Sequence, residues 1–183
     1  MEVTTVKKSA NIIGSAKKIV LSTCAVTTDS SIDYYLLVET EDNHLLRFYF
    51  EEKDEIFNVL LTNANIKYLG YSCIRLSIEI SFLIELIKTN TTSLTVFEFG
   101  GDICYNATIV YQIIEELKNC NNLYLLKTTT DIFDKCFIIG LKYFFNLSLS
   151  ITVGKTIHDY TIVEKITHIK FLTNLKIIVP YEV

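Results

Sequence analysis

The segment SITVGKTIHD, residues 150–159, places glycine, lysine and threonine in the order that a phosphate-binding loop uses. Such a loop requires the pattern GxxxxGK[ST], because the first glycine lets successive N–H groups converge on the phosphates. The position of that first glycine holds Leu149, inside a strand-like alternation of apolar and polar residues. The pattern is therefore incomplete. The segment is typical of a strand that ends at Gly154 and turns into a helix capped by Thr156 or Asp159.

Three aspartates and one threonine follow predicted strands and would lie at the strand carboxyl ends, where open α/β sheets bind ligands. They are Asp102, Thr128, Asp131 and Asp134. The same residue types are common as helix caps and first-turn acids, so they favour a structural role over a catalytic one. No serine lies in a GxSxG pattern. We therefore predict no catalytic residue.

The residue types that bind metals are dispersed along the chain. The five cysteines form no CxxC pair, and His44, His158 and His168 lie far apart in sequence. His158 is followed directly by Asp159, but adjacent residues cannot orient one another as a catalytic triad requires. We predict neither a metal nor a cofactor. The odd number of cysteines favours free buried thiols over a disulfide framework.

Composition restricts the classes of partner. The net charge is −4, and Arg47 and Arg75 are the only arginines, so we predict no nucleic-acid partner. The N-terminal residues lack the apolar segment of a secretory signal, which predicts an intracellular protein of the cytoplasm or nucleus. The longest nearly uncharged run, residues 137–154, contains Lys142 and ends in strand-like alternation, so we predict no membrane partner.

The chain is long enough, and apolar enough, to form a single domain over residues 1–183. Within a β-rich N-terminal cap, residues 1–53, the runs YYLLVE and LLRFYF flank a polar turn and predict a hairpin. Strands and helices then alternate over residues 54–183, ending with helices at 131–144 and 161–172, which predicts a mainly parallel sheet. The segment CIRLSIEIS, residues 73–81, alternates apolar with polar residues and predicts one further strand.

Five of the predicted strands share an apolar doublet spaced by two residues, and the gaps between successive doublets are 28, 29, 24 and 28 residues. The doublets are Ile66 with Tyr68, Leu94 with Val96, Leu123 with Leu125, Leu147 with Leu149, and Leu175 with Ile177. The period and its LxxLxL core resemble the leucine-rich repeat over residues 54–183. The resemblance implies one strand and one helix per unit, with the far side of the strands, meaning the side that faces away from the helices, exposed.

Two features depart from that family. The position of its turn asparagine holds other residues, namely Tyr71, Phe99, Thr128, Thr152 and Pro180, so we predict that a regular asparagine ladder is absent. The strand predicted at residues 73–81 lies where the repeat would have a helix. The alternative fold is a single open α/β sheet, in which similar unit lengths follow from pairing helices with strands of ordinary length.

The far side of the strands supplies the candidate site, because in the repeat fold this face commonly binds a partner, whereas helices cover it in a doubly wound sheet. The predicted partner-binding residues are Leu69, Phe97, Tyr124, Leu126 and Ile178. They would lie in a half-polar row with an apolar stripe.

We therefore predict a noncatalytic protein–protein interaction module, a recognition subunit of a larger assembly. Abundant isoleucine, asparagine, threonine and tyrosine with little arginine, glycine or proline is typical of an AT-rich genome, such as that of a virus or parasite, and then the partner would be a host protein. The alternative is a small α/β enzyme or ligand-binding domain with its site at the strand carboxyl ends.

Overall fold

The computed structural model describes residues 6–27, 32–41, 44–73, 80–101, 107–129, 144, 147–152 and 172–178. The helices are α1 (Val6–Ser15), α2 (Lys53–Thr62), α3 (Ile80–Thr89) and α4 (Ala107–Leu117). The strands are β1 (Lys18–Thr27), β2 (Ile32–Glu39), β3 (Leu45–Tyr49), β4 (Tyr68–Cys73), β5 (Val96–Gly101), β6 (Leu125–Thr129), β7 (Leu147–Thr152) and β8 (Leu172–Ile178).

All eight strands form one sheet in the order β3-β2-β1-β4-β5-β6-β7-β8. Strands β1, β2 and β3 pair antiparallel, which confirms the predicted hairpin, and every pair from β1–β4 to β7–β8 is parallel. Each new parallel strand is added on the same side of the preceding one. With right-handed crossovers, this uniform progression places successive helices on one face of the sheet. The predicted α/β class with a mainly parallel sheet is confirmed.

The helices form a layer in which neighbours along the chain are also neighbours in space, from α1 to α4. Helix α2 begins with Asp54 and Glu55, whose charges favour the positive end of the helix dipole. The aromatic rings of Phe57 in α2 and Phe82 in α3 stack with centroids 3.7 Å apart. The buried residues of α2, α3 and α4 belong to the same apolar cluster as the strand residues beneath them.

Two buried asparagines connect successive turns between helix and strand. The Asn63 side-chain amide donates to the backbone carbonyls of Ile13 and Ala16, at 2.9 and 2.8 Å. The Asn90 amide donates in turn to the Asn63 carbonyl at 2.9 Å, and the Asn90 side-chain oxygen accepts from the N–H of Ile66 at 2.9 Å. Because backbone groups at helix ends lack helical partners, these side chains satisfy them inside the core.

One predicted strand is partly wrong, one helix was not predicted, and two predicted helices lie almost wholly outside the described residues. The strand predicted over residues 73–81 is wrong at its end, because Ile80 and Ser81 begin helix α3; residues 74–79 lie outside the described residues. Helix α1 was not predicted, since its sequence VKKSANIIGS contains glycine and no acidic residue in the first turn. The helices predicted at 131–144 and 161–172 lie outside the described residues, apart from Phe144 and Leu172, the first residue of β8.

Candidate functional site

One face of the sheet, here called the covered face, is apolar and packs against the helices. Across the parallel strands its central row is formed by residues in register: Ile19, Leu69, Phe97, Leu126 and Leu149. Each of these side chains is at most 1% exposed. Buried rows of this kind are expected on the side of a parallel sheet that crossover helices cover.

The opposite side, here called the open face, carries the alternate residues of the same strands, because successive side chains in a strand point to opposite faces. In the described part of the chain, two rows in register cross all six parallel strands: Lys18, Tyr68, Val96, Leu125, Ser148 and Asn174, and then Val20, Gly70, Glu98, Lys127, Ser150 and Lys176. A further row includes Ser22 of β1 and Ser72 of β4. Polar and charged residues predominate toward β8. The open face is therefore chemically distinct from the covered face.

A recurring bulge at the start of β4, β5 and β6 decides which residues reach the open face. At β4, the N–H groups of Lys67 and Tyr68 both donate to the carbonyl of Lys17, at 2.7 and 2.9 Å. Thr95 and Val96 donate in the same way to Lys67, at 2.9 and 3.0 Å. Tyr124 and Leu125 then donate to Thr95, at 3.0 and 3.3 Å. At each bulge, two residues of one strand lie opposite a single residue of its neighbour. From that point on, the side chains that would have pointed to one face of the sheet point to the other.

This reversal corrects the predicted partner-binding residues. Leu69, Phe97 and Leu126 lie on the covered face, so their assignment to an uncovered face is wrong. The prediction assumed unbroken alternation from the buried residues Ile66, Leu94 and Leu123, whereas the bulge places the next residue of the apolar core three positions further on instead of two. Tyr124, which directly precedes β6, is 54% exposed, and Ile178 is paired with Thr152 at the end of β8.

A polar network spans the middle of the open face. Lys18 of β1 forms an ion pair with Glu39 of β2, and its ammonium lies 5.8 Å from the centre of the Tyr68 ring. The Tyr68 hydroxyl donates to the Glu98 carboxylate and accepts a hydrogen bond of 2.9 Å from Lys127. The Lys127 ammonium also lies 3.5 Å from Glu98. The network holds the side chains of five strands in one arrangement.

Between β6 and β8 the open face contains a concavity of about 320 Å³. Its lining residues are Tyr124, Leu125, Lys127, Ser148, Leu149, Ser150, Asn174 and Lys176. The concavity is deepest along β7, because that strand contributes the short side chains of Ser148 and Ser150, whereas β6 and β8 on either side contribute longer ones. Of these lining residues, Tyr124 alone was among the predicted site residues; the two serines and the lysines that flank them were not.

The antiparallel end of the sheet carries an aromatic cluster with one arginine. The rings of Tyr35 and Tyr49 lie 5.2 Å apart, and the Arg47 guanidinium lies 5.0 Å from the centre of the Tyr35 ring. Burial raises the pKa of the Tyr35 hydroxyl above its usual value, and the neighbouring oxygens of Tyr49 and Asp33 raise it further. Tyr35 therefore stays neutral at physiological pH and acts in packing.

A second concavity, of about 230 Å³, lies beside Glu41 at the end of β2. The Glu41 carboxylate accepts from the N–H groups of Lys17 and Lys18, at 2.8 and 2.9 Å. The bond from Lys18 is the main reason that the pKa of Glu41 lies below its usual value. Glu41 thus accepts hydrogen bonds from two successive N–H groups at β1, as a backbone carbonyl does at each bulge. Its carboxylate has a structural role.

Of the residues considered for catalysis or metal binding, the structure describes Thr128 and His44. Thr128 is buried on the covered face, and His44 is exposed beside the second concavity. The remaining candidates lie outside the described residues: Asp102, Asp131, Asp134, Gly154, Lys155, Thr156, His158, Asp159 and His168. Over the described ranges, no three histidine, cysteine or acidic side chains are grouped as metal ligands.

Comparison with models of protein families, with curated proteins and with solved structures found no match to this chain. Among the helices that the structure describes, none combines the length and apolar character needed to cross a membrane.

Proposed function

We propose that this protein is a noncatalytic interaction module that binds another protein through the open face of its sheet. The observation that carries the proposal is the difference between the two faces. The described helices pack against one face alone, while the other presents partly exposed side chains from six consecutive strands. A parallel sheet with a face in contact with solvent is unusual unless that face has a use.

We further propose an irregular β/α repeat architecture that resembles leucine-rich-repeat proteins. Three turns that follow helices share one hydrogen bond of 3.0 Å, from Asn63 to Leu60, from Asn90 to Ile87 and from Cys120 to Leu117. Each turn is followed by a buried residue three or four positions later, and then by the bulge. Such units would bury their apolar faces only by stacking on their neighbours.

The frame of the proposed repeat differs from the frame expected from sequence. The bulge places the apolar pattern at Ile66, Leu69 and Tyr71, and again at Leu94, Phe97 and Phe99. This spacing supports an LxxLxL core that begins three residues later than the sequence alignment suggested. Asparagines recur as well, but in the turn that follows the helix rather than after the strand.

Photocrosslinking from the two sides of the molecule would test the interaction. A photoreactive phenylalanine analogue is placed at Ser22 or Ser148 on the open face, or at the exposed Gln112 of α4 as the matched control, and the chain is expressed in its native cell. We expect a protein adduct from the open-face positions and none from the helix layer. Adducts of equal yield from both sides, or none from the open face, would refute the proposal.

A further inference from the structure

The concavity between β6 and β8 is built from two rows of three residues. One row is Leu125, Ser148 and Asn174, and the other is Lys127, Ser150 and Lys176. In each row the central residue, on β7, is a serine. Because a serine side chain extends much less than lysine or leucine, the middle strand forms a trough between two walls.

The trough has a positive charge, although the chain as a whole has a net charge of −4. Lys127 and Lys176 occupy the same row on either side of Ser150, so their backbones lie about 9–10 Å apart, two strand spacings. Among the described residues that line the concavity, none is acidic. Glu98, the nearest described carboxylate in that row, lies beyond Lys127 on the side away from the trough.

The two lysines differ in how far their charge is neutralised. The Lys127 ammonium contacts the Glu98 carboxylate and the Tyr68 hydroxyl. These contacts fix its position, and the carboxylate partly neutralises its charge. Lys176 is exposed, and among the described residues no carboxylate lies within ion-pair distance of it. Lys176 therefore provides a charge that a ligand can neutralise, and Lys127 provides an oriented donor opposite it.

The remaining lining groups are matched to the oxygens of an anion. Two serine hydroxyls and the Asn174 amide can donate hydrogen bonds at the floor and wall, while Leu125 and the exposed Tyr124 ring offer apolar contact. A glutamate or aspartate side chain has this combination of carboxylate and methylene groups. The trough is open along the sheet face, so a segment that passes over it can insert such a side chain.

We propose that this concavity receives an acidic side chain from an extended segment of the partner protein. The inference rests on the proposed function, since it names the chemistry of the segment that binds the open face. Charge-assisted hydrogen bonds from two lysines would fix the register of that segment and speed its association.

Fluorescence polarisation with labelled peptides tests the chemistry directly. The probes are an oligoglutamate peptide and an oligoglutamine peptide of equal length, titrated with wild-type protein, Lys176→Glu and Lys88→Glu. The last variant makes the same charge change on an exposed residue of helix α3. We expect wild type to prefer oligoglutamate, Lys176→Glu to weaken that binding roughly tenfold or more, and Lys88→Glu to leave it unchanged.

Three results would overturn the inference: equal binding of the two peptides, equal weakening by the two variants, or equal competition by a single-stranded oligothymidylate, which would indicate nonspecific attraction of polyanions. Crosslinking from Ser22, outside the concavity, separates this inference from the proposed function. If Lys176→Glu leaves the adduct yield unchanged, the acidic-segment inference fails and the interaction module stands. If wild type forms no adduct, the proposed function itself fails.

Discussion

The substitution Asn90→Ala tests whether the buried asparagines hold the turns together. The Asn90 side chain is fully buried and takes part in four hydrogen bonds with other residues: its amide donates to the carbonyls of Asn63 and Leu86, and its oxygen accepts from the Ile66 N–H and the Ser93 hydroxyl. Alanine removes all four bonds. The groups left without a partner include the N–H of Ile66 and the carbonyl of Asn63, both in the turn that precedes β4.

The expected loss follows from those orphaned groups. A buried backbone donor or acceptor that loses its partner costs about 1–3 kcal/mol. With the Ile66 N–H and the Asn63 carbonyl both affected, we expect the free energy of unfolding to fall by about 3–5 kcal/mol. That is a large part of the roughly 5–15 kcal/mol that stabilises an ordinary domain.

Urea denaturation followed by far-ultraviolet circular dichroism measures the change, since the chain has no tryptophan to report by fluorescence. The matched control is Asn122→Ala, whose exposed amide donates one bond of 2.7 Å to the Thr92 carbonyl. The control should lose less than about 1 kcal/mol, because water replaces that bond. Equal midpoints for the two variants would refute the role given to the asparagines.

The remaining predictions concern a glycine, a carboxylate and a thiol. Gly70→Ala should lower the denaturation midpoint, because its Cβ would lie 2.9 Å from a methyl carbon of the valine beside it, whereas Gly14→Ala, with open space around its Cβ, should raise stability by up to about 1 kcal/mol. The pKa of Glu41 is lowered on folding, so its stabilisation is complete above its unfolded value near 4.5 and is lost as the pH falls through the lower folded pKa. Urea midpoints at acidic and neutral pH should therefore differ more for wild type than for Glu41→Gln, and equal differences would contradict this. Burial raises the pKa of Cys120 to about 12, so mass spectrometry should find that iodoacetamide at pH 8 modifies Cys24 well before Cys120 in the native protein.

Periodicity in the sequence predicted the order and type of most elements. The alternation of strands and helices predicted parallel pairing, and every pair from β1–β4 to β7–β8 is parallel. These features depend on local patterns repeated over many residues. Three of the predicted partner-binding residues were assigned to the wrong face of the sheet because of the backbone bulges, which leave no such pattern in the sequence.

The bulges that reverse the faces of β4, β5 and β6 involve two adjacent N–H groups that share one carbonyl from a distant strand. No common residue type at positions 67 and 68, 95 and 96, or 124 and 125 marks them, because the contact shared by all three bulges is made by backbone groups; at β5 the Thr95 hydroxyl also donates to the shared carbonyl, at 2.9 Å. At β7 the two leucines of the sequence doublet, Leu147 and Leu149, are both buried, so the alternation read from the sequence is unbroken there. The polar network was not predicted because it joins residues as far apart as Tyr68 and Lys127.

The carboxylate of Glu41 has a consequence for how such a chain can change in length. At β4 and β5 the bulge residue donates to the preceding strand and its own carbonyl accepts the next pair of N–H groups, so duplication or deletion of one such strand with its helix would leave compatible backbone partners on both sides. At β1 a side chain takes the place of that carbonyl. The run of shared carbonyls therefore ends at the hairpin side of the sheet, where no further unit could be added in the same way.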